Sequence, residues 1–428
     1  MSEKSKIYVI TLGCPKNVVD SEYLLGQLKH SSVQLVADAD NADTVIINTC
    51  GFIKDARQES LDAIMEAVEK KNRGELKKIV VMGCLSERFK KELADKIPEV
   101  DSFFGTNQLS GVLKDLSVDY KSELLGERLL TTPAHYAYLK ISEGCDNPCS
   151  FCAIPLMRGQ HRSKPIEEVV CEAQLLALKG VKELIIIAQD TTYYGLDLYG
   201  ERWLAKLLGA LNSIDGIEWI RLMYAYPTKF PLDVIEAFQK LPKLCRYIDI
   251  PIQHCSDSVL KSMRRGITLR STRDLLLRLK KEISNIALRT TLIVGYPNET
   301  EDDFKVLCDF VEEMCFHRLG VFTYSEEEGT AAFGLGDTVS EEIKQLRLAT
   351  IMEIQKDISE QRNESLIGKS VKVLIDSHDG EFFIGRTEWD APEIDQEVFV
   401  RSNRSLKAGT FYTTSITDAV EYDLFASV

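Results

Sequence analysis

The chain has 428 residues, 44% of them hydrophobic, enough for ordinary globular cores and for about two to four domains. Its 52 Lys and Arg stand against 66 Asp and Glu, a formal net charge of −14. That balance disfavours broad nucleic-acid binding, which rests on neutralising phosphates, and suits a basic protein partner. No apolar run approaches the roughly eighteen residues of a membrane helix. Eleven cysteines in a chain of this size point to thiolate or metal chemistry rather than a disulfide framework.

The opening MSEKSKIYVITLG has no signal-peptide pattern and runs straight into a strand, so a cytoplasmic location with no membrane contact is expected. Over residues 4–122, short apolar runs alternate with charged helical stretches. KIYVITLGC, DTVIINTCG and KKIVVMGCL read as buried parallel strands, and each delivers a cysteine at its C-terminal end: Cys14, Cys50 and Cys84. DSEYLLGQLKH, ARQESLDAIMEAVEKK and SERFKKELADKI read as the helices between them. This βα alternation predicts a parallel sheet covered by helices, with ligands beyond the carboxyl ends of the strands.

Residues 131–360 repeat that grammar six times. The strands are YAYLKIS, ELIIIAQD, EWIRLMYAY, RYIDIPIQH, LRTTLIVGY and LGVFTYS, and each runs into a polar or glycine-bearing loop. Six β/α units predict an open or partial barrel whose chemistry collects at the C-terminal ends of its strands. A linking helix is expected over 340–362. Residues 363–428 change to β-rich runs divided by turn signals, KSVKVLID, EFFIGRT, QEVFVRS and TFYTTSITDAV, and predict a small all-β barrel. The fold class is α/β with this third, all-β part.

The first loop of the central segment, ISEGCDNPCSFCAIP, holds Cys145, Cys149 and Cys152 in the spacing C-x3-C-x2-C. Three thiolates on a four-iron cubane leave one iron with an exchangeable position, the feature that separates catalytic metals from closed structural ones. Gly144 and Pro148 let the backbone wrap a compact cluster. The blander alternatives are a structural zinc site or unrelated buried cysteines. Cys14, Cys50 and Cys84 read as strand-end residues within reach of one centre, a second cluster with one open iron, against an alternative of core packing. Cys171 and Cys308 fall in helical patterns and are expected in the core. Gln189 with Asp190, and Gln253 with His254, end the second and fourth barrel strands, where they would either bind a cofactor or cap turns. Arg264 and Arg265 read equally as partners for a carboxylate or as an exposed helix face. His161 and His317 read as satisfied surface or core histidines before titrating groups, and Tyr193 and Tyr194 read equally as the lining of a substrate entrance or as packing.

The cysteine loop resembles that of the radical S-adenosylmethionine superfamily. The resemblance implies that the amino and carboxylate groups of S-adenosylmethionine bind the open iron. Reductive cleavage there releases a 5′-deoxyadenosyl radical. The whole layout is similar to the methylthiotransferases: an N-terminal cluster domain over 4–122, a radical barrel over 131–360 and a TRAM-type β-barrel over 363–428. Six stretches look like the branch that modifies a ribosomal protein rather than transfer RNA: TLGCPKNVVDSE, NTCGFIKDARQES, ISEGCDNPCSFCAIPLMRGQHRS, QDTTYYG, DIPIQHCSDSVLKSMRRG and YSEEEGTAA. GYPNET departs from the commoner G-F-P-G-E-T at Tyr296 and Asn298, and Lys164 stands where the branch often has Arg.

The resemblance implies methylthiolation of the β-carbon of one aspartate in small-subunit ribosomal protein twelve. Cys145, Cys149 and Cys152 would hold the radical cluster, and Cys14, Cys50 and Cys84 a second four-iron cluster that presents sulfur. Gln189 and Gln253 would meet S-adenosylmethionine, and flavodoxin or ferredoxin would supply electrons. Segment 363–428 carries six Lys and Arg against twelve Asp and Glu, a net of −6, which suits a basic ribosomal protein better than transfer RNA. The rival readings are a transfer-RNA adenosine methylthiotransferase and, from another class, a non-catalytic iron–sulfur carrier.

Overall fold

The computed structural model describes residues 4–124 and 126–428, so the first three residues of the N-terminal stretch quoted above lie outside it. The chain divides into two compact units. The first comprises Met1–Thr132, Tyr138–Asp146 and Cys152–Leu175; the second comprises Pro133–Ala137, Asn147–Phe151 and Leu176–Val428.

In the first unit, β1 (Lys6–Thr11), β2 (Gln34–Leu35), β3 (Thr44–Thr49), β4 (Lys78–Gly83) and β5 (Ser102–Phe103) form a parallel sheet in the order β2-β1-β3-β4-β5. The period-2 alternation of a strand divides the apolar residues of β3 and β4 between two cores. Val45, Ile47, Ile79 and Val81 pack with Ile64 and Val68 of the helix Lys54–Asn72 and Leu93 of the helix Cys84–Lys96. Ile46, Val80 and Met82 pack with Leu24 and Leu28 of the helix Pro15–Lys29 and with Val112 and Leu113. Burial on both faces is why these strands read as continuous apolar runs. The two-residue strands β2 and β5 are too short to leave a periodic signal. Strand β6 (Tyr136–Lys140) has its first two residues in the second unit and its last three in the first. A short antiparallel pair then joins β7 (Ser142–Glu143) to β8 (Arg162–Ser163), on either side of the cysteine loop in sequence.

In the second unit, β9 (Glu183–Ile187), β10 (Trp219–Leu222), β11 (Leu244–Asp249), β12 (Ala287–Val294) and β13 (Arg318–Thr323) are parallel neighbours, and the six-stranded sheet has the order β13-β12-β11-β10-β9-β6. All six predicted strands are present, in sequence order, as the wall of a partial barrel. The intervening helices start where their caps dictate: Thr300 with Asp303, and Thr268 with Ser271, each form a reciprocal capping box. The linking helix spans Glu341–Glu364.

Strands β14 (Ser370–His378), β15 (Phe383–Arg386), β16 (Val398–Arg401), β17 (Phe411–Ala419) and β18 (Leu424–Ser427) close into a barrel in the order β14-β15-β16-β18-β17 around Val371, Val373, Ile375, Val398, Val400, Ile416 and Leu424. Strand β18, LFAS, was not anticipated. The β15–β16 connection meets the N-terminal halves of the sheet strands through buried charges. Arg386 and Arg221 share Glu183, at 2.9 and 2.7 Å. Arg318 pairs with Asp390, and Arg289 with Asp395 at 3.3 Å. Each carboxylate is matched, as burial demands. Part of the acidity counted in 363–428 is therefore spent on arginines of the sheet rather than displayed to solvent. With the small barrel on those ends, the C-terminal ends of β9–β13 remain for chemistry.

Candidate functional site

Three parallel strands in the first unit end at cysteines. Cys14 caps the helix Pro15–Lys29, Cys50 follows β3 directly, and Cys84 opens the helix Cys84–Lys96. The sulfurs feel one another: the thiol of Cys50 is raised first by burial and also by Cys14, and Cys84 is pushed up to about 12 by burial, with Cys14 and Cys50 adding to it. Buried Asn17 ties the three strand ends together. Its amide donates to Leu12 O at 2.7 Å and Thr49 O at 3.1 Å, while its oxygen lies 3.8 Å from Cys84 Sγ. Ser60 accepts from the Cys50 amide and donates to the Cys50 carbonyl, both at 3.0 Å. Gly13, at φ +89°, passes so close that a Cβ there would stand 2.7 Å from Cys50 Cβ, so only glycine lets the Cys14 and Cys50 backbones approach.

Arg158, 2% exposed, completes this first site. Its guanidinium reaches Asn17 Oδ1 at 2.5 Å, Asp20 at 2.8 Å and Glu143 at 3.2 Å, and it acts on Cys84 and Cys14. Burial alone would discharge Arg158, but Asp20 and Glu143 outweigh it and hold the charge. Among the described residues no three His, Cys, Asp or Glu side chains close around a single-ion point. A cubane asks for something looser, since each thiolate takes its own iron. Two desolvated thiols with Cys14 beside them, a glycine-cleared approach and a neighbouring cation fit such a group, and a metal would replace the protons that burial otherwise keeps on Cys50 and Cys84.

The loop after β7 carries the second set. In the first unit, the Cys145 amide donates to Gly159 O at 3.1 Å, and Gly144 sits at φ +77° where a Cβ would lie 2.0 Å from Gln160 O. Cys152 belongs to the same unit. Cys149 belongs to the second unit, where its Sγ lies 3.4 Å from Arg265 and 3.5 Å from the Tyr226 hydroxyl. Ser150 anchors this part of the loop: its amide donates to Met263 O at 3.0 Å and its hydroxyl meets Ser262 O and Tyr296 Oη. Tyr296, the departure from the family's commoner Phe, thus uses its added hydroxyl, and Asn298 adopts φ +65° where the commoner residue is glycine.

The strand-end polar residues divide. Asp190 acts as a turn cap, accepting from the Thr192 amide and hydroxyl, and it also accepts from Asn147 at 2.9 Å. The Gln253 backbone, at φ +71°, is pinned to β12 by hydrogen bonds with Thr291 and Ile293, while its side-chain amide takes no partner among the described residues. Gln189 is half-buried just past β9. His254 is fully buried, lowered to about 4 by desolvation, and accepts from the Ser256 amide. Its neighbour Glu299 is raised to about 7 by burial. His317 is half-buried and driven down to about 2 by desolvation, with Arg362, Arg318 and Lys280 adding to it, so it is neutral.

Two expectations fail. Cys171 is exposed, not core, because it falls on the outer face of its helix while Val169, Ala173 and Leu176 face inward. Arg265 is 4% exposed, not an outward helix residue; it lies beyond the helix Asp257–Ser262, in a loop that turns inward. Sequence reasoning missed Arg158 and Tyr226 entirely. A lone arginine in LMRGQHR carries no spacing signal.

The fold and the cysteine loop define a radical S-adenosylmethionine enzyme with an appended small barrel. Residues 139–311 match the Radical SAM superfamily, residues 367–428 the TRAM domain, and residues 6–105 Uncharacterized protein family UPF0004. Among solved structures, a radical S-adenosylmethionine methyltransferase, TsrM from Kitasatospora setae, matches with a TM-score of 0.56 at 13% identity over 77% of both chains. The cobalamin-dependent S-adenosylmethionine radical enzyme OxsB gives 0.53 at 16% identity, over 82% of this chain and 56% of that one. Both show the shared fold. The ribosomal protein uS12 methylthiotransferase RimO of Christiangramia forsetii is 55% identical over 99% of this chain and 94% of its own. Its counterpart in Flavobacterium johnsoniae is 54% identical over 99% and 98%, and that of Bacteroides thetaiotaomicron 48% over 100% and 99%. The chain belongs to this family of ribosomal protein uS12 methylthiotransferases. An iron–sulfur cluster and S-adenosylmethionine are the cofactors of that chemistry.

Proposed function

We propose that this enzyme attaches a methylthio group to the β-carbon of an aspartate in small-subunit ribosomal protein twelve, and that it does so with two four-iron clusters. Cys145, Cys149 and Cys152 hold the first cluster and Cys14, Cys50 and Cys84 the second. With both groups bound, the first supplies the electron that cleaves S-adenosylmethionine and the second supplies sulfur. The observation that carries the second half of this reading is the convergence of three strand-end thiols around Asn17 and Arg158.

The protein's own residues prepare these sites. Gly144 and Gly13 allow the close approaches to Gln160 and Cys50 that a Cβ would block, and Asn17 and Ser60 fix the strand ends. Arg158 lowers the cost of placing negative sulfur in a buried site. Asp190 holds the turn after β9, and in this reading Gln189 there and Gln253 after the fourth barrel strand meet S-adenosylmethionine. The acidic excess of 363–428 favours a basic ribosomal protein over transfer RNA, making nucleic acid a secondary partner. We assign the domains as 4–122, 131–360 and 363–428, with flavodoxin or ferredoxin as electron donor. Among the described residues no helix is long and apolar enough to cross a membrane, and we place the enzyme in the cytoplasm.

The test is anaerobic. The chain is reconstituted with iron and sulfide, reduced, and given S-adenosylmethionine with ribosomal protein twelve and unmodified transfer RNA in parallel. Intact mass should show one methylthio group gained by the ribosomal protein. A gain on transfer RNA alone would overturn the substrate.

A further inference from the structure

Arg265 poses an electrostatic problem. Its side chain is buried, yet among the described residues no carboxylate lies within ion-pair distance of it. Its guanidinium donates to Pro251 O at 2.5 Å and to Cys149 Sγ at 3.4 Å, it lies over the Tyr226 ring at 4.2 Å, and its Nε has no acceptor among the described residues. A buried guanidinium without a counter-charge is costly. A backbone carbonyl does not balance it, whereas an anionic group held at Cys149 would. The Tyr226 hydroxyl donates to Arg265 O at 3.1 Å, so its single proton has a destination other than sulfur. Arg265 is then the better placed donor to Cys149.

We propose that Arg265 is a positioning residue that sets the reduction potential of the cluster held through Cys149. This rests on the reading that Cys149 is a cluster ligand. In the reduction step an external low-potential one-electron carrier loses one electron and the cluster gains it, adding one negative charge beside a fixed buried cation. A hydrogen bond and a positive charge at the ligand sulfur stabilise the more negative, reduced state, and hydrogen bonding to cluster sulfurs is a known lever on such potentials. The fork geometry matters: one nitrogen reaches Pro251 O and the other the sulfur, which a lysine point charge cannot do at once.

The test is a redox titration of the reconstituted full-length chain, followed by electron paramagnetic resonance without S-adenosylmethionine. Arg265→Gln should keep its iron and sulfide while its cluster becomes at least tenfold harder to reduce, which is 59 mV for a one-electron couple. Arg265→Lys should fall between the two. An unchanged potential in Arg265→Gln, with a raised KM for S-adenosylmethionine, would overturn the proposal and make Arg265 a substrate-binding group. If Arg265→Gln does not retain iron, Arg265→Lys carries the test, and a potential equal to wild type would sink the idea. Cys149→Ala checks the underlying reading separately: a cluster with an unaltered signature in that variant would remove Cys149 as ligand, whatever Arg265 does.

Discussion

Two buried arginines, one in each unit, lie beside a cysteine of each set, and they differ in what else they touch. Arg158, beside Cys84, is gripped by Asp20 and Glu143. Arg265, beside Cys149, has a carbonyl and a sulfur but, among the described residues, no carboxylate. The first site is thus balanced by protein charges alone and should fold around its cations and anions whether or not metal is present. The second carries a positive charge that only an added anion would balance. The same residue type serves as structural glue in one place and as an electrostatic lever in the other, and the deciding feature is the presence of a carboxylate partner.

The largest effect should come from breaking the balanced site. Arg158→Ala leaves Asp20 and Glu143 to share Lys140 alone, and unbalancing a buried ion-pair network in this way costs up to about 3–5 kcal/mol. Urea denaturation of the metal-free chain should show that loss, while Arg265→Gln, which strands no charge, should stay within about 1 kcal/mol of wild type. Equal losses would erase the comparison.

Acid should attack the first unit next. Burial would raise the carboxyls of Glu143 and Glu172, but Lys140 and Arg158 hold Glu143 down to about 2, and Lys164 and Arg128 hold Glu172 there too. Both folded values lie below the ordinary value of 4.5. Their stabilisation is therefore fully present above about pH 4.5 and disappears as pH falls towards 2. For Glu172 alone the shift corresponds to about 3 kcal/mol. Circular dichroism of the metal-free chain between pH 5 and pH 2 should follow this loss. Glu172→Gln should flatten the acid limb, and an unchanged limb would contradict the assignment.

How much of this was legible in the sequence depended on whether the signal was local. Cys145, Cys149 and Cys152 announce themselves by spacing within eight residues. Cys14, Cys50 and Cys84 are far apart, yet each ends an apolar run, so the strand grammar alone placed them at one sheet edge, where the structure has them. All six barrel strands were readable for the same reason. What was not legible depends on contacts distant in sequence. Asp20 and Glu143 meet Arg158 from positions more than a hundred residues apart, and nothing in LMRGQHR marks it. Arg265 looked like part of a basic helix because a loop turning inward leaves no periodicity. The helical pattern around Cys171 was right, but the residue falls on its outer face. The two-residue segments β2 and β5 are too short for any alternation to show.

The central claim is that the two cysteine sets do different jobs, and it can be tested by separating cleavage from transfer. Cys145→Ala and Cys14→Ala chains would be reconstituted anaerobically, reduced with dithionite and assayed side by side for S-adenosylmethionine cleavage and for methylthiolation of ribosomal protein twelve. The account predicts that Cys145→Ala loses both activities, whereas Cys14→Ala still cleaves S-adenosylmethionine but transfers no methylthio group. Full methylthiolation by Cys14→Ala, or cleavage by Cys145→Ala at the wild-type rate, would contradict it.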